Sequence, residues 1–533
     1  MENTMTNEIK KVKNDLIAEI DKRIADKIIE KTNADLLKKL IKQAETINEA
    51  IMIAELGTTY KRTGFHFDKR LEKMTDTIKY FKKNEKLSFT QGKNALTHKL
   101  IIGDNYDALQ NLLIEYRGKI DVIYIDPPYG KDSMGEFAKT NYENAITRDN
   151  LLSMLYPRLV LARQLLNDNG VIFCSIDDKN QAYVKGLFDE VFGESSFVTN
   201  ISVQLSTTQG MKVKAAQNGN IVKNGEYILC YSKDGHQNIA KHPLYDLRPR
   251  YDEHYSLYLN DNGEIGQLTE LYDYRFPKDC NNKKPMKLAE AYEKSEEFAD
   301  IVRSHLADIV RSDKVGDFKT TEELKKGYWK KVIRNGKEYL LTLDSNDAIR
   351  QLLRLKDSWG KTDGYYQEEG LRKIRGDWWE GFYIDMGNVA KEGDVDFKNS
   401  KKPVRLIRQL IKMSSEKDSI ILDFFAGSGT TGQAVIEQNK DDSGKRMFIL
   451  ATSDEKIENT PNGIGTDITA TRLKNTISDN LDVYDIATVA PYSEEPFTQI
   501  DETLYGKEKL GVNEKIKWVC ENFEGTQKTL KDK

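Results

Sequence analysis

The spacing of apolar positions changes its period along the chain. From Asp35, the residues Leu36, Leu37, Leu40, Ile41, Ala44, Ile47, Ile51 and Ala54 follow a helical repeat that stops at Gly57. Residues 1–95 therefore read as a helical layer packed on the rest of the protein or on a second copy. From Lys99 short β-rich runs alternate with helical stretches. Leu100 to Ile102, Val122 to Ile125, Val171 to Ile176 and Tyr227 to Tyr231 predict buried strands, and Asn150 to Asn167 predicts an amphipathic helix. Between Asp234 and Gly393 the regularity is lost, in a stretch that holds Trp329, Trp359, Trp378 and Trp379 with many tyrosines and basic residues. It then returns, with a helix from Pro403 to Met413 and strands at Ile420 to Leu422 and Phe448 to Ala451.

This pattern predicts an α/β domain with a mostly parallel sheet, split by a large inserted module. The boundaries expected are a helical region over 1–95, a first half of the sheet domain over 96–233, the insertion over 234–393, a second half over 394–485, and a mixed tail over 486–533.

Composition narrows the function classes. Across 533 residues there are 81 Lys and Arg against 85 Asp and Glu, a net charge of −4, which excludes a uniformly basic packaging protein. A local basic channel remains compatible with that balance. No apolar run reaches the roughly 18 residues of a membrane-spanning helix. Met1 to Asn14 is polar, without a signal-peptide core. The four cysteines, Cys174, Cys230, Cys280 and Cys520, and the six histidines match no metal-ligand spacing. A cytoplasmic, multidomain protein is expected, with no metal.

Two segments carry candidate chemistry. Asp126-Pro127-Pro128-Tyr129 directly follows the strand Val122 to Ile125, and ligands of open α/β sheets bind at such carboxyl ends. Consecutive prolines remove two N–H donors and hold the backbone extended, leaving a carboxylate, carbonyl acceptors and an aromatic ring. Acceptors beside a flat surface suit an aromatic amine, such as the exocyclic nitrogen of adenine. Accepting both its hydrogens, at Asp126 and at the Pro127 carbonyl, would free the nitrogen lone pair. Tyr129 could stack on a base flipped out of the duplex. Taken alone, the four letters equally describe a strand ending in an Asp-Pro turn.

The second segment is Asp423-Phe424-Phe425-Ala426-Gly427-Ser428-Gly429-Thr430-Thr431, after the strand Ile420 to Leu422. Strand, glycine turn and helix start form a nucleotide-type cradle. It is neither a P-loop, lacking Gly-Lys-Ser/Thr, nor a full dinucleotide fingerprint.

Together the two segments resemble those of the DNA amino-methyltransferases that use S-adenosylmethionine, with the catalytic turn ahead of the cofactor loop as in the β group. More narrowly, the chain resembles the modification (Mod) subunits of type III restriction-modification systems. The resemblance rests on Glu55 to Gly64, Ile102 to Asn105, Gly170 to Asp178, Lys402 to Ile407 and Glu437 to Arg446. It implies a Rossmann-like methyltransferase sheet whose insertion is the target-recognition domain. It also implies catalytic roles for Asp126, Pro127, Pro128 and Tyr129. The cofactor would contact Lys402, Pro403 and Asp423, Phe424, Phe425, Ala426, Gly427, Ser428, Gly429 and Thr430, with Asp104 beside the cofactor adenine or the pocket wall. Where many relatives place a ribose-binding Glu, this chain reads Thr452-Ser453-Asp454-Glu455, so Asp454 takes that role two positions late.

The implied activity is adenine-N6 methylation of double-stranded DNA by a Mod homodimer, partnered by a Res helicase/nuclease subunit. Cytosine N4 poses the same chemical problem and stays open, as does a mainly non-catalytic specificity subunit. Asp177-Asp178 reads as a solvated strand end, with one carboxylate orienting the catalytic turn.

Overall fold

The computed structural model describes residues 2–25, 31–46, 49–50, 53–54, 78–129, 148–281, 283–316, 318–395, 397, 401–456 and 460–489. Two helices open the chain, α1 (Glu2–Ala25) and α2 (Lys31–Gln43). They pack on each other through Ile20, Ala34 and Ile41. Gly57, the Glu55 to Gly64 segment and everything after Val489 lie outside the described residues.

The large sheet has ten strands among the described residues. In chain order they are β1 (Ile78–Lys83), β2 (Thr97–Ile102), β3 (Ile120–Ile125), β4 (Leu166–Ile176), β5 (Phe197–Gln204), β6 (Gly225–Ser232), β7 (Trp378–Trp379), β8 (Ile420–Asp423), β9 (Met447–Thr452) and β10 (Asn480–Val489). Their spatial order is β1-β10-β2-β9-β8-β3-β4-β6-β5-β7. The run from β10 to β4 is parallel, while β6 pairs antiparallel with both β4 and β5. Chain order breaks in the middle, where β8 and β9 enter between β2 and β3.

The parallel strands are buried on both faces, which is why they read as continuous apolar runs. Ile123, Ile125, Ile172, Leu422 and Ile449 face α3 (Asn105–Tyr116), α4 (Arg148–Leu165) and α5 (Gln181–Phe192). Val122, Phe173, Ile421, Phe448 and Leu450 face α6 (Val404–Ser414) and α7 (Thr430–Asp442). The result is a three-layer α/β/α domain.

Three boundaries differ from the sequence expectation. Residues 1–95 are not helical throughout, because Ile78–Lys83 is an edge strand of the main sheet, antiparallel to β10. Its partner lies four hundred residues away, so no local period announces it. The tail expected from residue 486 begins later, since β10 runs to Val489. Finally, the insertion is neither irregular nor as long as 234–393.

Inside the insertion, an antiparallel six-stranded sheet runs in the order Lys330–Arg334, Lys337–Leu343, Ile349–Arg354, Ile309–Lys314, Leu257–Leu259, Ile265–Gln267. A three-stranded sheet joins Trp359–Lys361, Glu369–Ile374 and Tyr245–Leu247. Tyr255, Phe298, Val302, Ile309 and Leu355 form the module's own core. By Trp378 the chain has returned to the main sheet, where Trp378–Trp379 pairs parallel with β5. Many of these strands are solvated on both faces, so their apolar alternation is weak; Lys330–Arg334 has no buried residue.

Candidate active site

Because β2, β9, β8, β3 and β4 run parallel, their carboxyl ends share one rim of the sheet. Each ends in a segment singled out from the sequence: Gly103-Asp104 after β2, Thr452 to Asp454 at β9, Asp423 at β8, Asp126 after β3 and Asp177 after β4. β3 and β8 are neighbours, with Ile123 opposite Leu422. The proline turn and the glycine loop therefore leave the sheet side by side, although some three hundred residues separate them.

At the turn, the Tyr129 hydroxyl lies 2.9 Å from Asp126 Oδ1 and 3.1 Å from Glu226 Oε2. Lys402 Nζ donates to the Tyr129 oxygen at 2.7 Å and to Glu226 Oε2 at 2.8 Å, and stands 3.4 Å from Asp126 Oδ1. Its charge also lies 4.9 Å from the Tyr129 ring centroid. Burial raises the Asp126 carboxyl above its ordinary value, with Lys402 opposing and Glu226 adding to the rise. Burial acts on Glu226 too, yet Lys402 holds that carboxyl below its ordinary value. From β4, buried Asp177 accepts from Asn180 Nδ2 at 2.9 Å, and the same amide donates to the Tyr129 carbonyl at 2.8 Å. Asp178 pairs with Lys223 at the surface.

The glycine loop is held from below. Asp423 Oδ1 accepts from the Phe425 N–H at 2.9 Å, and Oδ2 from the Thr431 hydroxyl at 2.5 Å. Gly427 has φ 49° and Gly429 φ 80°, both left-handed, and a Cβ on Gly429 would sit 3.0 Å from Thr469 Cγ2. The loop is thus a close-fitting cradle of backbone leading into α7. Arg472, fully buried, donates to Ser428 Oγ at 3.0 Å and Thr430 Oγ1 at 2.7 Å, and lies 3.7 Å from Glu392 Oε2. Glu392 in turn accepts the Val404 N–H at the start of α6, beside Pro403. Asn105 Nδ2 donates to the Phe424 carbonyl at 2.8 Å, linking the end of β2 to the loop. Asp104 caps α3 through the Tyr106 N–H and pairs with Arg158 at 3.1 Å. Asp454 is exposed on the same rim, with Thr466 Oγ1 at 3.4 Å.

The structure thus gathers Asp126, Pro127, Pro128 and Tyr129 at one point, and the loop from Asp423 to Thr430 beside them. Lys402 was expected with the cofactor group, but its ammonium reaches the proline turn. Sequence reasoning missed Glu226, Asn180, Asn105, Arg158 and Arg472. Only Asn105 stood within one of the motifs; Asn180 is a turn residue just ahead of α5, and the others sit in ordinary strand or helix contexts with no local signal.

Burial, reinforced by Asp126, pushes the Asp423 carboxyl up to about 7. An acid whose folded pKa exceeds its unfolded value contributes most stability below the unfolded value, near 4. That contribution is lost as pH rises through about 7. Asp423→Asn should therefore gain stability relative to the parent between pH 4 and 7, by a few kcal/mol at most, and the difference should level off above. Thermal unfolding of both proteins across that range is the check. A pH-independent difference would mean that Asp423 ionises normally.

A turn of acceptors and a glycine loop thus stand side by side where the strand order of the parallel sheet reverses, the place where open α/β sheets bind ligands. The family is settled by comparison: the family model described as DNA methylase, covering N6 and N4 enzymes, matches residues 120–477, and the chain belongs to that family. A second model, of an uncharacterised conserved protein, matches residues 2–122. The chain is 29% identical over 407 residues to the type III restriction-modification enzyme StyLTI Mod subunit of Salmonella typhimurium, covering 69% of this chain and 54% of that one. To the EcoPI Mod subunit of Escherichia phage P1 it is 29% identical over 408 residues, 68% of this chain and 58% of the other. The type II methyltransferase M.KpnI of Klebsiella pneumoniae is 28% identical over 396 residues, 72% and 88% of the two chains. The match thus spans little more than half the length of the Mod subunits. No helix among the described residues is long and apolar enough to cross a membrane.

Proposed function

We propose that the chain methylates adenine N6 in double-stranded DNA, using S-adenosylmethionine, as the modification and specificity subunit of a cytoplasmic type III restriction-modification system. The observation that carries this is the juxtaposition of the Asp126 turn and the Gly427 loop on adjacent parallel strands. The loop suits the methionine part of the cofactor, because its left-handed glycines leave backbone open to close approach and α7 begins within it. When bound, S-adenosylmethionine supplies an electrophilic methyl group. Asp126 and the Pro127 carbonyl accept the two amine hydrogens, so the nitrogen lone pair is freed from conjugation and directed out of the ring plane. Positioning and exclusion of water then supply the rate, without a metal. The relatives' description as Mod subunits of type III restriction-modification enzymes supports a further subunit, which in this reading is a Res partner carrying the helicase and nuclease, joined to a Mod homodimer.

Single-molecule sequencing of DNA treated with the purified chain and S-adenosylmethionine tests the reading. N6-methyladenine at one fixed motif is expected. N4-methylcytosine would change the target base, and unmodified DNA with both ligands bound would leave a specificity subunit. The insertion is assigned to target reading, since base-edge contacts need several side chains in a groove. Replacing residues 240–376 with the matching block of a relative should change the methylated motif. An active chimera that keeps the original motif would place target reading elsewhere.

A further inference from the structure

Lys402 has three N–H bonds to place and, among the described residues, two carboxylates within reach. It donates at 2.7 Å to the Tyr129 oxygen and at 2.8 Å to Glu226, while Asp126 Oδ1 stays at 3.4 Å, beyond the usual length of such a bond. Tyr129 also approaches Asp126 at Oδ1. Among the described residues nothing donates to Asp126 Oδ2, the oxygen left for an incoming amine. Glu226 comes from β6, the antiparallel strand next to β4, and Lys223 is a further cation acting on it.

We propose that Glu226 is a positioning residue, holding the Lys402 ammonium away from the acceptor face of Asp126; this rests on the methyltransferase reading. The physical argument is charge balance. A cation taken out of water must find an anionic partner. With Glu226 present, that partner is Glu226, and the lysine only steadies the Asp126 side of the site. With Glu226 neutral, Asp126 becomes the sole carboxylate within reach among the described residues, and the ammonium closes onto it. The Asp126 carboxylate that must accept one of the amine hydrogens would then be occupied by lysine N–H groups. Glu226 thus acts on the reaction through Lys402 and touches no reacting atom.

A double-mutant cycle tests this. Glu226→Gln should lower kcat at least tenfold, with S-adenosylmethionine affinity by calorimetry within about twofold of the parent, which also shows that the variant is folded. In a Lys402→Met background the same substitution should cost less than about twofold. Equal losses in both backgrounds would show that Glu226 works independently of Lys402 and would overturn the assignment. A crystal structure of Glu226→Gln supplies a reading that does not depend on turnover. Lys402 Nζ should move to direct hydrogen-bond distance from Asp126, and a lysine still 3.4 Å away overturns the proposal. If the parent fails to methylate DNA, the methyltransferase reading falls, whereas the lysine position still decides this one.

Discussion

Asp126→Ala is expected to lower methyl transfer by roughly 10²–10³-fold or more, the scale for removing a preorganised hydrogen-bond partner of a reacting centre. S-adenosylmethionine affinity should stay near the parental value. The asymmetry follows from where Asp126 stands. It leaves β3 at the rim, with Oδ1 2.9 Å from the Tyr129 hydroxyl and the Lys402 ammonium standing off at 3.4 Å. Among the described residues nothing donates to Oδ2, and no hydrogen bond joins Asp126 to the glycine loop. Its loss should leave the cradle's supports intact: Asp423 to Thr431 and Phe425, and Arg472 to Ser428 and Thr430. Removing the carboxylate also leaves the Lys402 ammonium with Glu226 alone, a pair already formed at 2.8 Å, so the fold should not suffer. Single-turnover methylation at saturating DNA, with calorimetry for the cofactor, separates the two quantities. Methylation near the parental rate would remove Asp126 from the chemistry.

What could be read from the chain divides by the range of the interaction. Asp126 to Tyr129 and Asp423 to Thr430 were legible because each is a local event, an apolar strand that stops at a carboxylate followed by residues with unusual backbone demands. The central strands were legible because burial on both faces makes them continuous apolar runs. Features created by pairing across the chain were not. Ile78–Lys83 is a strand only because Tyr484–Val489 lies beside it. Glu226 is part of the site only because β6 folds back antiparallel onto β4, and Lys402 only because the segment before α6 crosses to the proline turn. Arg472 resembles any helix arginine until the loop above it is in place. The insertion looked irregular for a different reason. Strands such as Lys330–Arg334 are wet on both sides, and only a pair of sheets with a small shared core reveals their order.

Gly427→Val should reduce S-adenosylmethionine affinity at least a hundredfold, with Gly427→Ala intermediate. At φ 49° the residue sits in the left-handed region, where a β-branched side chain is a steric outlier and even an ordinary one costs about 1–2 kcal/mol. The peptide cannot relax freely to escape that strain. The Gly427 carbonyl accepts from the Thr469 hydroxyl at 2.6 Å and from Thr452 Oγ1 at 3.3 Å, and Gly429, two residues on, is also left-handed at φ 80°. Flipping residue 427 to negative φ would aim its carbonyl away from both threonines and swing the backbone that must approach the ligand. Global stability should fall less than affinity, because Asp423, Thr431 and the buried Arg472 hold the ends of the loop independently. Calorimetry on the folded variants, with thermal unfolding alongside, measures both. Unchanged affinity in Gly427→Val would place the cofactor cradle away from the end of β8, and with it the group that Asp126 is positioned to meet.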